Sequence, residues 1–527
     1  MKEIKMPQMT HTRSYAVLKE LAAHPIDLTD PQLMTPERVM TYQLSKCGIT
    51  CAYACERVDK AVLSALRDLA KESDAVKKMQ AIQSGEVMNR IIGYPSENRQ
   101  VLHTAMRDFF GHRHQQKAAK QAADEAYLEV EKLERFVEKI DQQPYDTIVQ
   151  IGIGGSDLGP QAIYLALKAY QQKKRQVYFV SNVDPDDAVA TLAKIDLKKT
   201  LIIIVSKSGT TVETLTNEEF FRQAYAAQGL DSKKHFIAVT QRGSPMDNPE
   251  RYLASFYIWD FVGGRYSVTS MVGGVVLSLG LGFEVYQQFI EGACEMDKVA
   301  LEEDLQENLP LLGALLGIWN RNFLNHPTLA IIPYSQAMSR FTAHLQQLEM
   351  ESNGKRVTIE GARCDFSTSP VIWGEIGTNG QHSFYQMIHQ GTDVVPVTFI
   401  GFTHQQLGVD WTVEGTTSQQ KLNANLLAQA MALAIGKYDA NPNRHFPGNR
   451  PSHLLMAKQL DPYILGALLS YFEHKVAFQG LIWGINSFDQ EGVQLGKVQA
   501  GEFLRLMRSV NLSAQDQPLI QAFLKLL

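Results

Sequence analysis

The chain lacks the means for a disulfide framework, because its cysteines number five in 527 residues, an odd count. It lacks a dominant charge: 51 Lys and Arg stand against 56 Asp and Glu, a net −5. No overall field draws it to nucleic acid or to an anionic membrane, so neither is expected as a partner. An anion bound here must be held by a local site. Long apolar runs are missing as well. The longest uncharged stretch, Tyr266–Phe283, has 18 residues and is broken by Gly, Ser and Thr. That suits a buried core helix better than a membrane span. The opening MKEIKMPQMTHTRSYAVLKE has no apolar signal core, which together with the cysteine count predicts reduced thiols and a cytoplasmic location. Cys47, Cys51 and Cys55 are four apart, a spacing that predicts one helical face of small buried thiols. No histidine or fourth cysteine lies nearby to complete a tetrahedral site, so no metal is expected.

What is present is ordinary for a globular enzyme: 45% hydrophobic and 20% charged residues. The length exceeds one ordinary core and predicts two or more domains. Residues 1–140 read as mainly helical, with Val58–Leu69 and Ala118–Ile140 free of Pro and Gly. From Thr147 strands and helices alternate. Strands are expected at Thr147–Ile153, Val177–Ser181, Leu201–Val205 and Phe236–Thr240, and helices at Pro160–Tyr170, Asp187–Ile195 and Thr211–Gln228. This alternation implies a parallel sheet covered on both faces. After helical Val285–Arg321 the pattern resumes, with strands at Thr328–Ile332, Val371–Gly374 and Val397–Phe402. Helices are expected at Gln336–Met350, Gln381–His389 and Ser418–Lys437. Asp439–His453 reads as a loop and Leu460–Trp483 as helix. The expected organisation is a helical segment 1–140, an α/β domain 141–285 with an anion loop, a second α/β domain 286–510, and a helical tail 511–527.

Several motifs carry chemistry. Ser206-Lys-Ser-Gly-Thr-Thr211 follows an apolar strand and opens a helix. A helix N-terminus offers unpaired N–H groups and the positive dipole end, and four hydroxyls crowd the same turn. One hydroxyl would suffice for a cap, so phosphate binding is the favoured reading. Gly152-Ile-Gly-Gly-Ser-Asp-Leu-Gly159 sits at another strand-to-helix turn. It fits a dinucleotide fingerprint poorly, since Asp157 occupies the third glycine position. Gly155 and Ser156 suit close approach of a small sugar chain instead. Arg265, in Gly263-Gly-Arg-Tyr-Ser267, is either a fixed cation for a developing oxyanion or an arginine paired with an internal carboxylate. Glu351 ends a run with Met338, Phe341, Leu345 and Leu348 at helical spacing, just before Asn353-Gly354. A carboxylate fixed on the last turn of a packed helix suits a base that moves a proton between neighbouring carbons. His382 and His389 are two turns apart, too far for pairwise chelation of the i, i+4 kind. Gln490 and Lys497 offer an amide and an ammonium near the C-terminus.

Taken together and in this order, Gly152–Pro160, Ser206–Thr211, Gly263–Ser267, Glu351–Lys355, Gly377–Gln390 and Ser487–Lys497 resemble the glucose-6-phosphate isomerase family. Val101–Arg107 and Phe446–Ser452 extend the likeness over roughly residues 95–500. The resemblance implies two sugar-isomerase (SIS) type α/β/α sandwich domains with helical N- and C-terminal segments. It also implies a homodimer, a sugar-phosphate substrate and no cofactor. By it, Glu351 would shuttle a proton between C1 and C2 through a cis-enediolate, with Arg265 stabilising the oxygen. His389, reaching in from the neighbouring subunit, and Lys497 would open the sugar ring. Ser206, Lys207, Ser208 and Thr211 would hold phosphate, and Gly155, Ser156 and Gln490 the sugar. Two departures stand out. Glu491 replaces a bulky aromatic, and Lys46-Cys-Gly48 replaces a more basic stretch. A sugar-phosphate sensor without catalysis and a nicotinamide-dependent dehydrogenase are the competing readings.

Overall fold

A computed structural model describes residues 9–111, 114–172, 174–508 and 518–527. These form two units, Met1–Ser487 and Phe488–Leu527. The larger unit holds two α/β layers. Its first strands are β1 (Gln43–Lys46) and β2 (Ile49–Ala52). The first large sheet comprises β3 (Thr147–Ile151), β4 (Gln176–Val180), β5 (Thr200–Val205), β6 (Phe236–Thr240) and β7 (Ala254–Tyr257). Its order is β4-β3-β5-β6-β7 and every pairing is parallel, with Thr147 opposite both Gln176 and Thr200. The near-continuous apolar runs of β3, β5 and β6 follow from burial on both faces. Under one face Val149, Ile202, Ile204 and Phe236 meet Phe221 and Tyr225 of the Val212–Ala227 helix. Each such side chain contributes about 1.5–3 kcal/mol by leaving water.

The second sheet contains β8 (Thr328–Pro333), β9 (Val371–Trp373), β10 (Val397–His404) and β11 (Ser452–Gln459). Its order is β1-β2-β11-β10-β8-β9. The four strands from the second half pair in parallel, and the β1–β2 hairpin adds on antiparallel. Ala330, Ile332, Val397 and Phe399 pack on Leu426 and Leu433 of the Ser418–Ile435 helix. The two α/β halves expected from the sequence are therefore present. The 18-residue uncharged run yields the Met271–Gly280 helix, all of it buried. Among the described residues no helix is long and apolar enough to cross a membrane. Central to the unit, the Pro462–Trp483 helix crosses Phe283–Val299. A side chain at Gly466 would overlap the Phe289 carbonyl, and one at Gly292 the Tyr463 carbonyl. Glycine lets these helix backbones touch.

Two expectations are corrected. Cys47, Cys51 and Cys55 do not share a helical face; the first two belong to the β1–β2 hairpin, and Cys55 follows it. Lys46 pairs with Ile49, so Cys47-Gly48 is a two-residue turn, with φ of 49° and 76°. Hairpins favour such positive-φ pairs, but Asn-Gly is the usual signal and Cys-Gly conceals it. The N-terminal segment is thus not purely helical, because it supplies an edge to the second sheet. The stretch read as a loop through His453 turns into strand at Ser452, directly after Pro451. β11 lies between β2 and β10 and is mostly buried, so period-two alternation is absent from its sequence.

The smaller unit holds a helix Gln494–Arg508 and a helix Pro518–Leu524, with Leu506 and Ile520 buried and the Phe503 and Phe523 rings 6.5 Å apart. The expected boundary at 510/511 lies outside the described residues.

Candidate active site

Glu351 sits at the end of a helix whose winding changes. Phe341–Gln346 is α-helical, Gln347–Glu351 is a π-turn, and helical winding continues to Asn353 before stopping at Gly354. A π-turn inserts an extra residue, re-aims the side chains that follow, and is frequent at functional sites. Here it presents Gln347 and Glu351 together: Gln347 Nε2 donates to Glu351 Oε2 at 2.8 Å. Arg265 Nη1 donates to Glu351 Oε1, also at 2.8 Å. Both carboxylate oxygens are thereby oriented. The guanidinium is fully buried, whereas the carboxylate side chain remains 24% exposed.

The other donors of Arg265 are fixed by the fold. Nε donates to Ser352 Oγ at 2.7 Å and Nη2 to the Ser487 carbonyl at 2.6 Å. Tyr266 shares a 3.0 Å hydrogen bond with the same Ser352 hydroxyl, and its ring stacks on His103 with centroids 4.7 Å apart. Ser487 is itself anchored, its hydroxyl donating to Asn353 Oδ1 at 2.7 Å. Asn353 in turn donates to Glu349 Oε1 and the Val476 carbonyl, each at 3.0 Å. A buried guanidinium with a fixed set of partners cannot swing away, which is what a preorganised cation requires.

The glycine turn comes to the same place. A side chain at Gly155 would overlap the backbone of Gly264, so the two loops pack main chain on main chain. Ser267 Oγ reinforces the junction, donating to the Gly264 carbonyl at 2.6 Å. Gly154, with φ of 59°, leaves its Cβ position 3.4 Å from Gln347 Nε2. The Ser156 hydroxyl is in a half-buried residue and makes no hydrogen bond among the described residues.

The Ser206–Thr211 turn follows β5 as expected. Ser206 and Thr211 hydroxyls are 2.9 Å apart, and the Gly209 N–H donates to Ser206 Oγ at 3.2 Å. Ser208 and Thr210 remain exposed. Thr211 precedes the Val212–Ala227 helix without a side-chain capping bond. The first-turn N–H groups are thus left for an incoming acceptor. Lys207 is placed differently from its neighbours. Its ammonium donates to the carbonyls of Asp260 and Val262, at 2.8 and 3.0 Å. It clamps the anion turn to the segment that leads into Gly263 and Arg265. Burial pushes this ammonium down to about 8, against the opposing pull of Asp260.

The other expected residues are His389, Gln490 and Lys497. His389, on the short Tyr385–Gln390 helix, shares a 2.8 Å hydrogen bond with Gln429 and packs between Tyr385 and Phe446. Burial lowers its pKa below the usual imidazole value, partly opposed by Gln429. Gln490 and Lys497 belong to the smaller unit, where Lys497 is exposed on the Gln494–Arg508 helix. Sequence reading missed Gln347, Tyr266 and Ser352 as partners. Gln347 is four residues before Glu351, a spacing that puts two side chains on one helix face and could have flagged it.

A family model described as phosphoglucose isomerase matches residues 52–518. The chain belongs to the phosphoglucose isomerase family. A glucose-6-phosphate isomerase from Protochlamydia amoebophila (strain UWE25) is 56% identical over 92% of this chain and 91% of its own length. One from Chlamydia pneumoniae is 53% identical over 95% of each. The crystal structure of a glucose-6-phosphate isomerase from Chlamydia trachomatis D/UW-3/Cx superposes with a TM-score of 0.95 at 50% identity, covering 99% of both chains. The two α/β layers described above, each built on parallel-paired strands, agree with the α/β fold that the resemblance implied.

Proposed function

We propose that the chain interconverts glucose 6-phosphate and fructose 6-phosphate by proton transfer through a cis-enediolate. The observation that carries this reading is the half-open carboxylate of Glu351, held at both oxygens, one of them by the sealed guanidinium of Arg265. Glu351 takes the proton from the carbon beside the carbonyl and returns it to the neighbouring one. As the carboxylate gains the proton it loses its charge, and the enediolate oxygen gains one. A guanidinium fixed beside the reacting centre interacts more strongly with the developing enediolate oxygen than with the neutral carbonyl, which stabilises the transition state. Gly155 and Ser156 accommodate the sugar chain, and Ser206, Ser208 and Thr211 hold the phosphate. Lys207 contributes through its clamp on the Asp260–Val262 segment.

A second copy of the chain supplies His389, which acts with Lys497 in opening the sugar ring, and Gln490 contacts the sugar. Support comes from the Ser418–Ile435 helix, which leaves Leu427, Met431 and Ile435 exposed at successive turns beside exposed Tyr438. An apolar stripe of this kind fits burial against a second copy of the chain. His389, held neutral by burial, then serves ring opening as a base, with Lys497 as its acidic counterpart. All five cysteines are free, which fits a reducing cytoplasm.

The test is turnover of fructose 6-phosphate by the purified chain and by Glu351→Gln. The variant should bind sugar phosphate with near-normal affinity and lose turnover by at least about a thousandfold, together with solvent deuterium exchange at C2. Undiminished exchange in the variant would refute the base assignment.

A further inference from the structure

A second cationic recess lies elsewhere in the larger unit. It is a cleft of about 820 Å³ between the Arg13–Leu21 helix, the 321–325 turn and the 363–367 loop. It shares no residue with the Arg265–Glu351 cluster. Lys19, Arg321 and Arg363 all line it, against one acid, Asp365. Asp365 is exposed, and among the described residues its side chain accepts one hydrogen bond, from the Thr10 hydroxyl at 3.4 Å. Arg321 spends Nε on the Thr368 carbonyl, at 2.8 Å, and its two terminal nitrogens have no partner among the described residues. Lys19 and Arg363 are exposed and make neither an ion pair nor a side-chain hydrogen bond among the described residues. Three uncommitted cations in one recess of a chain carrying net −5 is a local surplus against the overall charge. Three like charges gathered against a single exposed acid repel, and an anion relieves that repulsion. The recess also has aromatic walls, Tyr15 and Phe366, both half-buried.

We infer that this cleft binds a small molecule carrying a chain of phosphates, with Lys19, Arg321 and Arg363 as its ligands. Arginine forks match phosphate oxygens in pairs, lysine adds a point charge, and the aromatic walls accept a planar ring if the molecule carries one. The inference is independent of the isomerase reading.

The experiment is calorimetric titration of the full-length protein with inorganic tripolyphosphate and, separately, with ATP. Each is titrated into wild type and into a Lys19→Gln/Arg363→Gln double variant. Both positions are exposed, so the variant should fold normally and turn over fructose 6-phosphate as wild type does. Tripolyphosphate should bind wild type and bind the variant roughly tenfold more weakly or worse. Binding should persist with saturating fructose 6-phosphate present. Tighter binding of ATP than of tripolyphosphate would assign the aromatic walls to a base; equal affinities would assign recognition to the phosphates alone. Two outcomes overturn the inference: equal affinity in wild type and variant, or displacement of tripolyphosphate by fructose 6-phosphate. Either would place the anion outside this cleft.

Discussion

Among the described residues of the larger unit, two arginines with no exposure at all meet carboxylates, and they differ in one respect. Arg107 donates to Asp297 at 2.6 and 2.8 Å, to Glu473 at 2.8 Å, and to Ser470 and Thr269. Arginine and both acids have no exposure at all. Arg265 is equally buried, yet it also donates to a hydroxyl and a carbonyl, and the carboxylate it meets in Glu351 opens outward. The sealed cluster has no route for a substrate. Its charges neutralise one another: burial works against the Asp297 carboxylate, but Arg107 and His474 outweigh it and hold its pKa well below the usual range. Glu473 is pushed up to about 7, by burial above all, in spite of Arg107. On the proposed function, the exposure of the Glu351 carboxylate, not of its guanidinium partner, is what leaves that pair open to chemistry.

That contrast can be attacked by mutation, and the largest effect is expected in the sealed cluster. Arg107→Leu strands two buried acids and should cost about 3–5 kcal/mol of stability, read from denaturant unfolding. Arg265→Lys keeps a charge but loses the fork. Its kcat should fall by about 10²–10³ with a much smaller stability loss than Arg107→Leu. Equal destabilisation by the two substitutions, with kcat spared at Arg265, would erase the distinction. Ser352→Ala removes the acceptor for Arg265 Nε and should lower kcat by about tenfold, with KM little changed. A rise in KM alone would show that Ser352 shapes binding and not the cation.

The smallest effect concerns His389. Its pKa is lowered by burial, so the base form persists below pH 6.5, the ordinary imidazole value of about 6.5 being the reference. The acid limb of kcat/KM should therefore lie on the acid side of that value. Gln429 opposes the shift, so Gln429→Leu should move the limb further toward acid. For stability the sign is fixed: a histidine depressed in the folded state favours folding less as pH falls from its unfolded pKa through its folded one. Movement of the limb toward neutral pH in Gln429→Leu would contradict the hydrogen bond's assigned direction.

The anion turn and the glycine turn were legible because each is contiguous: strand, short polar turn and helix follow one another within a dozen residues. Glu351 was legible as a helix-end acid, since Asn353-Gly354 marks the stop. The π-turn that aims it was not, because the apolar spacing of Phe341, Leu345 and Leu348 reads as ordinary α-helix. The resemblance groups Lys207 with the phosphate ligands, and the folded chain adds what no sequence signal marks, its ammonium donating to the Asp260 and Val262 carbonyls. The strand Ser452–Gln459 was hidden because burial between two neighbours removes alternation.

The amino-acid order alone determined the α/β succession, the Ser206–Thr211 and Gly152–Gly159 turns and the family to which the chain belongs, since these depend on residues near one another in the chain. Tertiary structure decided that Arg265 is buried and paired with the carboxylate of Glu351, which still faces outward. That outcome rests on Gly155 touching Gly264, and on Ser352 and Ser487 meeting one guanidinium from separate segments. Contacts between segments so far apart leave no periodic trace, because packing and not local backbone preference selects them.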